Sequence, residues 1–156
     1  LAILNKKRYL GDGLLDTNDQ MTNQSSSLDI LLADDDEEDQ ELLKDAIVAT
    51  APGALVSIVN NGEQVLSYLE GNNPLPRIIV LDYKMPLLNG LETIERLCHD
   101  SRFSAIPVVI WSTSNRKEYV ESCMQKGATK FYTKPNDPKE LKTIVAGLLS
   151  LARTGV

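Results

Sequence analysis

From Leu28 onward, short runs of apolar residues alternate with segments whose apolar residues recur every three or four positions. Runs at 28–33, 55–59, 78–81 and 108–111 are almost unbroken by polar groups, as expected of strands buried on both faces. A weaker run at 130–132 is assigned as a strand mainly from its place in the alternation. The intervening segments each carry one apolar stripe at helical spacing. Leu42, Leu43, Ala46 and Ile47 form the first stripe, and Val65, Leu66 and Leu69 the second. Leu91, Ile94 and Leu97 form the third, and Tyr119, Val120, Cys123 and Met124 the fourth. Leu141, Ile144, Val145, Leu148 and Leu149 make the last and clearest. Five strands alternating with five helices predict right-handed crossovers and a doubly wound α/β fold, its parallel sheet covered on both faces.

Residues 1–27 lack this order and end in the polar run Thr22-Asn23-Gln24-Ser25-Ser26-Ser27, which predicts a flexible leader. Met21 heads that run and is a candidate native start, which would make the first twenty residues an upstream extension. The folded domain is expected over 28–153, with 154–156 as a short tail. At 156 residues the chain suits one domain. Its hydrophobic fraction of 42% suffices for one core.

Charge and composition narrow the classes. A net charge of −6 and a pI near 4.8 argue against a nucleic-acid-binding stripe. No apolar run is long enough to span a bilayer and no secretory signal is evident, so a cytoplasmic protein without a membrane contact is expected. Cys98 and Cys123 lack C-x-x-C spacing and read as reduced structural thiols. The single His99 reads as a helix surface residue.

In open α/β sheets, ligands bind beyond the carboxyl ends of the strands. Here the first strand runs into Asp34, Asp35 and Asp36, the third into Asp82, the fourth into Ser112 and Thr113, and the fifth into Lys134-Pro135. Carboxylates delivered by adjacent strands repel one another and raise one another's pKa values. A hard cation such as Mg²⁺ relieves that repulsion through oxygen ligands. Asp82 is then a candidate nucleophile toward a phosphoryl group, whose charge metal, ammonium and hydroxyl contacts would neutralise. Singly, each residue has a plainer reading. The acidic run suits a helix N-terminus, from about Asp36 onward in particular, and Lys134 could be a surface lysine. Their joint placement at successive strand ends favours the site.

These residues resemble the receiver domain of two-component response regulators. The matching segments are ILLADDDEED, IIVLDYKMPLLNG, IPVVIWSTS and GATKFYTKP, and the resemblance covers Leu28 to Arg153. Within the family the chain looks like single-domain regulators associated with phytochromes. The resemblance implies a flavodoxin-like sheet in strand order 2-1-3-4-5. It implies Asp82 as phosphoacceptor, with Asp34, Asp35, Asp82 and the Lys84 carbonyl holding Mg²⁺. Ser112 and Lys134 would contact the phosphoryl group, Phe131 would turn inward on activation, and the bond to Pro135 would be cis. Lys84 is hypothesised to shield the phosphoryl group and slow its loss, against the plainer reading of a solvated lysine.

The resemblance further implies a sensor histidine kinase or histidine phosphotransfer protein as donor. Output would pass to a downstream protein, or to a second protomer, through the face of the fourth helix, fifth strand and fifth helix. The chain would catalyse only its own phosphorylation and dephosphorylation. The end at Val156 is read as leaving no room for a DNA-binding output domain.

Three other readings compete. A haloacid-dehalogenase-type hydrolase would want a second Asp where Lys84 stands. A flavodoxin-like carrier would want a phosphate-binding loop where six acids stand. An unphosphorylated scaffold would have little need of the intact acids and Lys134. Site chemistry separates these readings, because all are compatible with a fold of this kind.

Overall fold

The computed structural model describes residues 7–10, 13–14 and 27–155. Its elements in chain order are β1 (Lys7–Leu10), β2 (Gly13–Leu14), β3 (Leu28–Ala33), α1 (Glu37–Thr50), β4 (Ala54–Val59), α2 (Gly62–Glu70) and β5 (Ile78–Asp82). There follow α3 (Gly90–His99), β6 (Val108–Ser112), α4 (Lys117–Gln125), β7 (Lys130–Thr133) and α5 (Pro138–Thr154). The strands form one sheet in the order β2-β1-β4-β3-β5-β6-β7. Its five parallel strands, β4-β3-β5-β6-β7, reproduce the expected 2-1-3-4-5 order.

The two sheet faces bury separate cores. One packs Leu43 and Ile47 of α1 and Ile144, Val145 and Leu148 of α5 against Ile30, Leu32, Val56 and Val80. The other packs Val65, Leu69, Ile94, Leu97 and Cys123 of α2, α3 and α4 against Leu31, Ile79, Leu81 and Ile110. Alternate residues of each central strand therefore serve opposite cores, which explains their uninterrupted apolar sequences. Leu42 and Met124, assigned to apolar stripes, are 46% and 44% exposed. Both lie at stripe margins, beyond the reach of the sheet.

Helix starts follow local chemistry. The side chains of Asp36, Asn61, Asn89 and Asp137 each accept backbone N–H groups at the starts of α1, α2, α3 and α5. Asn89 and Glu92 complete a reciprocal capping box. Helix α4 differs: Arg116 provides no side-chain cap and only Cys123 is buried, so this helix is held less firmly.

Two expectations change. The leader expected as flexible over 1–27 contributes a hairpin, β1 with β2, that pairs antiparallel to β4 through Lys7↔Ile58 and Tyr9↔Val56. Without it β4 would be an edge strand with unpaired backbone groups, and pairing satisfies them. Apart from Ser27, the rest of the leader, Met21 included, lies outside the described residues, and the folded domain ends with α5 at Thr154. The Lys134–Pro135 bond, expected cis, is trans, as is every described peptide bond. Trans is the lower-energy isomer by roughly 0.5–1 kcal/mol. The Lys134 N–H bond to the Ser112 carbonyl (2.7 Å) carries the β6–β7 pairing up to that point.

Candidate functional site

Strands β3 and β5 are neighbours whose following connections leave to opposite sides of the sheet, β3 leading to β4 and β5 to β6. A crevice opens at such a switch point. Asp34 continues β3, its N–H bonded to the Val59 carbonyl at 3.1 Å, and Asp82 ends β5. Both are buried, while Asp35 is exposed. Carboxylate oxygens of Asp34, Asp35 and Asp82 all lie within 4.8 Å of one another. Asp36 is diverted to capping α1, accepting from the N–H groups of Glu38 (2.9 Å) and Asp39 (3.2 Å). The acidic run thus divides into site and cap.

Lys134, following β7, reaches across the sheet end. Its Nζ donates to Asp34 Oδ2 at 2.8 Å and to Asp39 Oδ2 at 2.7 Å, and lies 3.6 Å from Asp82 Oδ1. Ser112, buried at the end of β6, accepts the N–H of Ser114 at 3.2 Å. Phe131 is partly buried against the core beneath α2, α3 and α4. The Lys84 side chain is exposed, while its backbone N–H acts to lower the Asp82 carboxyl.

The loop after β5 is pinned closely. Gly90 donates its N–H to the Tyr83 carbonyl at 3.0 Å, and a Cβ there would sit 2.6 Å from the Asp82 carbonyl oxygen. This explains the glycine that closes the MPLLNG segment. Leu87 adopts φ 65°, a left-handed conformation unfavourable for a residue with a Cβ, and is 80% exposed.

Electrostatics follow from this crowding. Burial, then the charges of Asp34 and Asp35, push the Asp82 carboxyl up to about 6, against the pull of Lys134 and the Lys84 N–H. Burial also raises Asp34, outweighing its hydrogen bonds from Lys134 and Asp36. For Lys134, burial alone would lower the ammonium, but hydrogen bonds to Asp34 and Asp39 and the charges of Asp34 and Asp82 raise it. An ammonium between carboxylates that still titrate high marks a cluster short of positive charge. Three carboxylates converging on one point form an all-oxygen donor set suited to a hard divalent cation. Thiol chemistry is remote: burial pushes Cys123 up to about 11 and raises Cys98.

Two participants escape a reading of the sequence. Asp39 shares Lys134 from the first turn of α1. Gln40, which is buried, donates to the Asp34 carbonyl (2.6 Å) and to Asn60 (2.9 Å), fixing the backbone of the acidic pair. The available signal was a pair of polar residues in that turn, at positions otherwise suited to solvent. Tyr83 also stacks on Tyr119 of α4, with ring centroids 4.5 Å apart.

Residues 30–146 match the response regulator receiver domain, and the chain belongs to that family. It is a receiver domain of the two-component class, and the phosphorelay is the signalling system to which such domains belong. The two-component response regulator ARR15 of Arabidopsis thaliana is 32% identical over 145 residues, covering 85% of this chain and 69% of that one. An uncharacterised 14.6 kDa protein of Leptolyngbya boryana is 32% identical over 120 residues, covering 77% and 88%. Among solved structures, the phosphorylated cyanobacterial phytochrome response regulator RcpA superposes with a TM-score of 0.76 at 26% identity, covering 84% of this chain and 97% of that one. The Mn²⁺-bound form of response regulator Rcp1 gives 0.72 at 26% identity, covering 82% and 96%. Among the described residues, no helix is long and apolar enough to cross a membrane.

Proposed function

We propose that the chain is a phosphorylation switch, taking a phosphoryl group on Asp82 from a sensor histidine kinase or histidine phosphotransfer protein. The observation that carries this reading is the convergence of Asp34, Asp35 and Asp82 within 4.8 Å, with the Lys134 ammonium 3.6 Å from Asp82. The metal-bound and phosphorylated relatives support it. Mg²⁺ is the proposed cation, held by those carboxylates and the Lys84 carbonyl, and when bound it supplies charge neutralisation to acids and phosphoryl oxygens. An Asp82 oxygen forms the new bond to phosphorus as the donor's P–N bond breaks, leaving the imidazole as the departing group. Lys134 neutralises one phosphoryl oxygen, and the Ser112 hydroxyl donates to another. Catalysis is confined to the domain's own phosphorylation and dephosphorylation, and Lys84 slows the latter by screening the acyl phosphate. A Lys84→Ala variant losing phosphate at the wild-type rate would remove Lys84 from the account.

Phosphorylation adds about −1.5 to −2 charges at neutral pH. Ser112 shifts toward them, vacating space that Phe131 enters, and the α4–β7–α5 face repacks. The uncapped α4, with one buried side chain, is the helix least costly to move. That face is the output surface, for a downstream protein or a second protomer. Acetyl phosphate provides the test: uptake with Mg²⁺, lost with chelator and lost in Asp82→Asn, is expected. Equal uptake by Asp82→Asn would refute the assignment.

A further inference from the structure

We propose that Asp39 is a positioning residue that holds the Lys134 ammonium in its resting place and yields it when Asp82 carries a phosphoryl group. An ammonium has three N–H donors. Two are committed, at 2.8 Å to Asp34 and 2.7 Å to Asp39, and Asp82 at 3.6 Å lies beyond hydrogen-bond reach. The third N–H remains for a phosphoryl oxygen on Asp82, whose added negative charge pulls Nζ toward it and so competes with the two present partners. Asp34 is the firmer of the two: its side chain is wholly buried and its other oxygen accepts the Asp36 N–H at 3.0 Å. Asp39 stands on the first turn of α1, and its side chain is 29% exposed. Water can replace the ammonium at Asp39 but not at Asp34, so Asp39 is the partner released. Asp34 then acts as the pivot about which Lys134 swings toward Asp82. One consequence reaches beyond the site: the phosphorylated state frees an acidic side chain on α1, on the sheet face opposite α4.

This rests on Asp82 being the phosphoacceptor, so the test separates the two. Beryllofluoride, a mimic of the acyl phosphate, is titrated in excess Mg²⁺ into wild type, Asp39→Asn, Asp39→Glu and Asp82→Asn, followed by backbone-amide NMR. Asp39→Asn keeps the shape but weakens the resting tether. It is expected to bind the mimic about three- to five-fold more tightly, as befits a partly exposed ion pair. Asp39→Glu is expected to return toward the wild-type affinity. Unchanged or weaker binding by Asp39→Asn overturns the proposal. Should that variant fold poorly, the wild type still decides: the Asp39 carboxyl carbon resonance must move when the mimic binds, and a stationary resonance overturns it. Binding absent from wild type, or retained by Asp82→Asn, refutes the phosphoacceptor reading instead.

Discussion

In Asp82→Asn the carboxylate is replaced by an amide of nearly equal volume, which removes one titrating charge from the crowded acid cluster. In the folded protein burial and neighbouring acids raise Asp82 from 3.8 to about 6. In the unfolded chain it titrates near its ordinary value. The folded state therefore binds the proton more tightly, and the associated stability is full below about pH 3.8 and lost as pH rises through about 6. At about 1.4 kcal/mol per pH unit, the ceiling is near 3 kcal/mol. Solvent at the crevice rim screens this to about 1–2 kcal/mol. Asp82→Asn should accordingly be more stable than wild type by about 1–2 kcal/mol at pH 7.5 in chelator, or about 2–8 °C in Tm for a chain of this size. At pH 4.5 the advantage should shrink to roughly a third, because wild-type Asp82 is then protonated in the fold and pH lies less than one unit above its unfolded value of 3.8. Urea denaturation at the two pH values measures both numbers. Added Mg²⁺ should narrow the gap at pH 7.5 by stabilising wild type in preference to the variant. A variant less stable than wild type at pH 7.5, or a gain equal at both pH values, would refute this electrostatic account.

Other outcomes follow from single contacts. Lys134→Ala leaves Asp34 buried without its cation and should destabilise the fold by about 3 kcal/mol at pH 7.5, measured by denaturant titration. Gly90→Ala places a methyl against the Asp82 carbonyl and the Tyr83 backbone, and should cost about 1–3 kcal/mol in the same assay. Leu87→Gly removes the left-handed penalty from an exposed side chain and should stabilise by about 1 kcal/mol, seen as a raised Tm.

Four of the parallel strands, β3 to β6, were legible because each buries both faces, which leaves a run of apolar residues that no helix face requires, whereas β7 buries no residue fully and was legible only from its place in the alternation. Strand ends then placed Asp34, Asp82, Ser112 and Lys134 at one edge without knowledge of any contact. The β1–β2 hairpin was not legible. Its pairing answers the open edge of β4, some fifty residues away, and nothing within the leader announces it. Asp39 escaped for a similar reason, since its partner Lys134 lies 95 residues along the chain. In the sequence it resembles one more acid favouring a helix N-terminus. The stripe on α4 misled in part, for helical spacing identifies one face but not how much of it the sheet covers. Tyr119 instead meets Tyr83, the residue beside Asp82, and links α4 to the site.

The central claim is that Asp82 carries the phosphoryl group. Borohydride reduction of protein treated with acetyl phosphate and Mg²⁺ converts an aspartyl phosphate to homoserine, which peptide mass spectrometry locates. Homoserine at position 82, absent from chelator-treated protein, is the result this account predicts. Conversion at another acid, or phosphate uptake with no conversion at position 82, would contradict it.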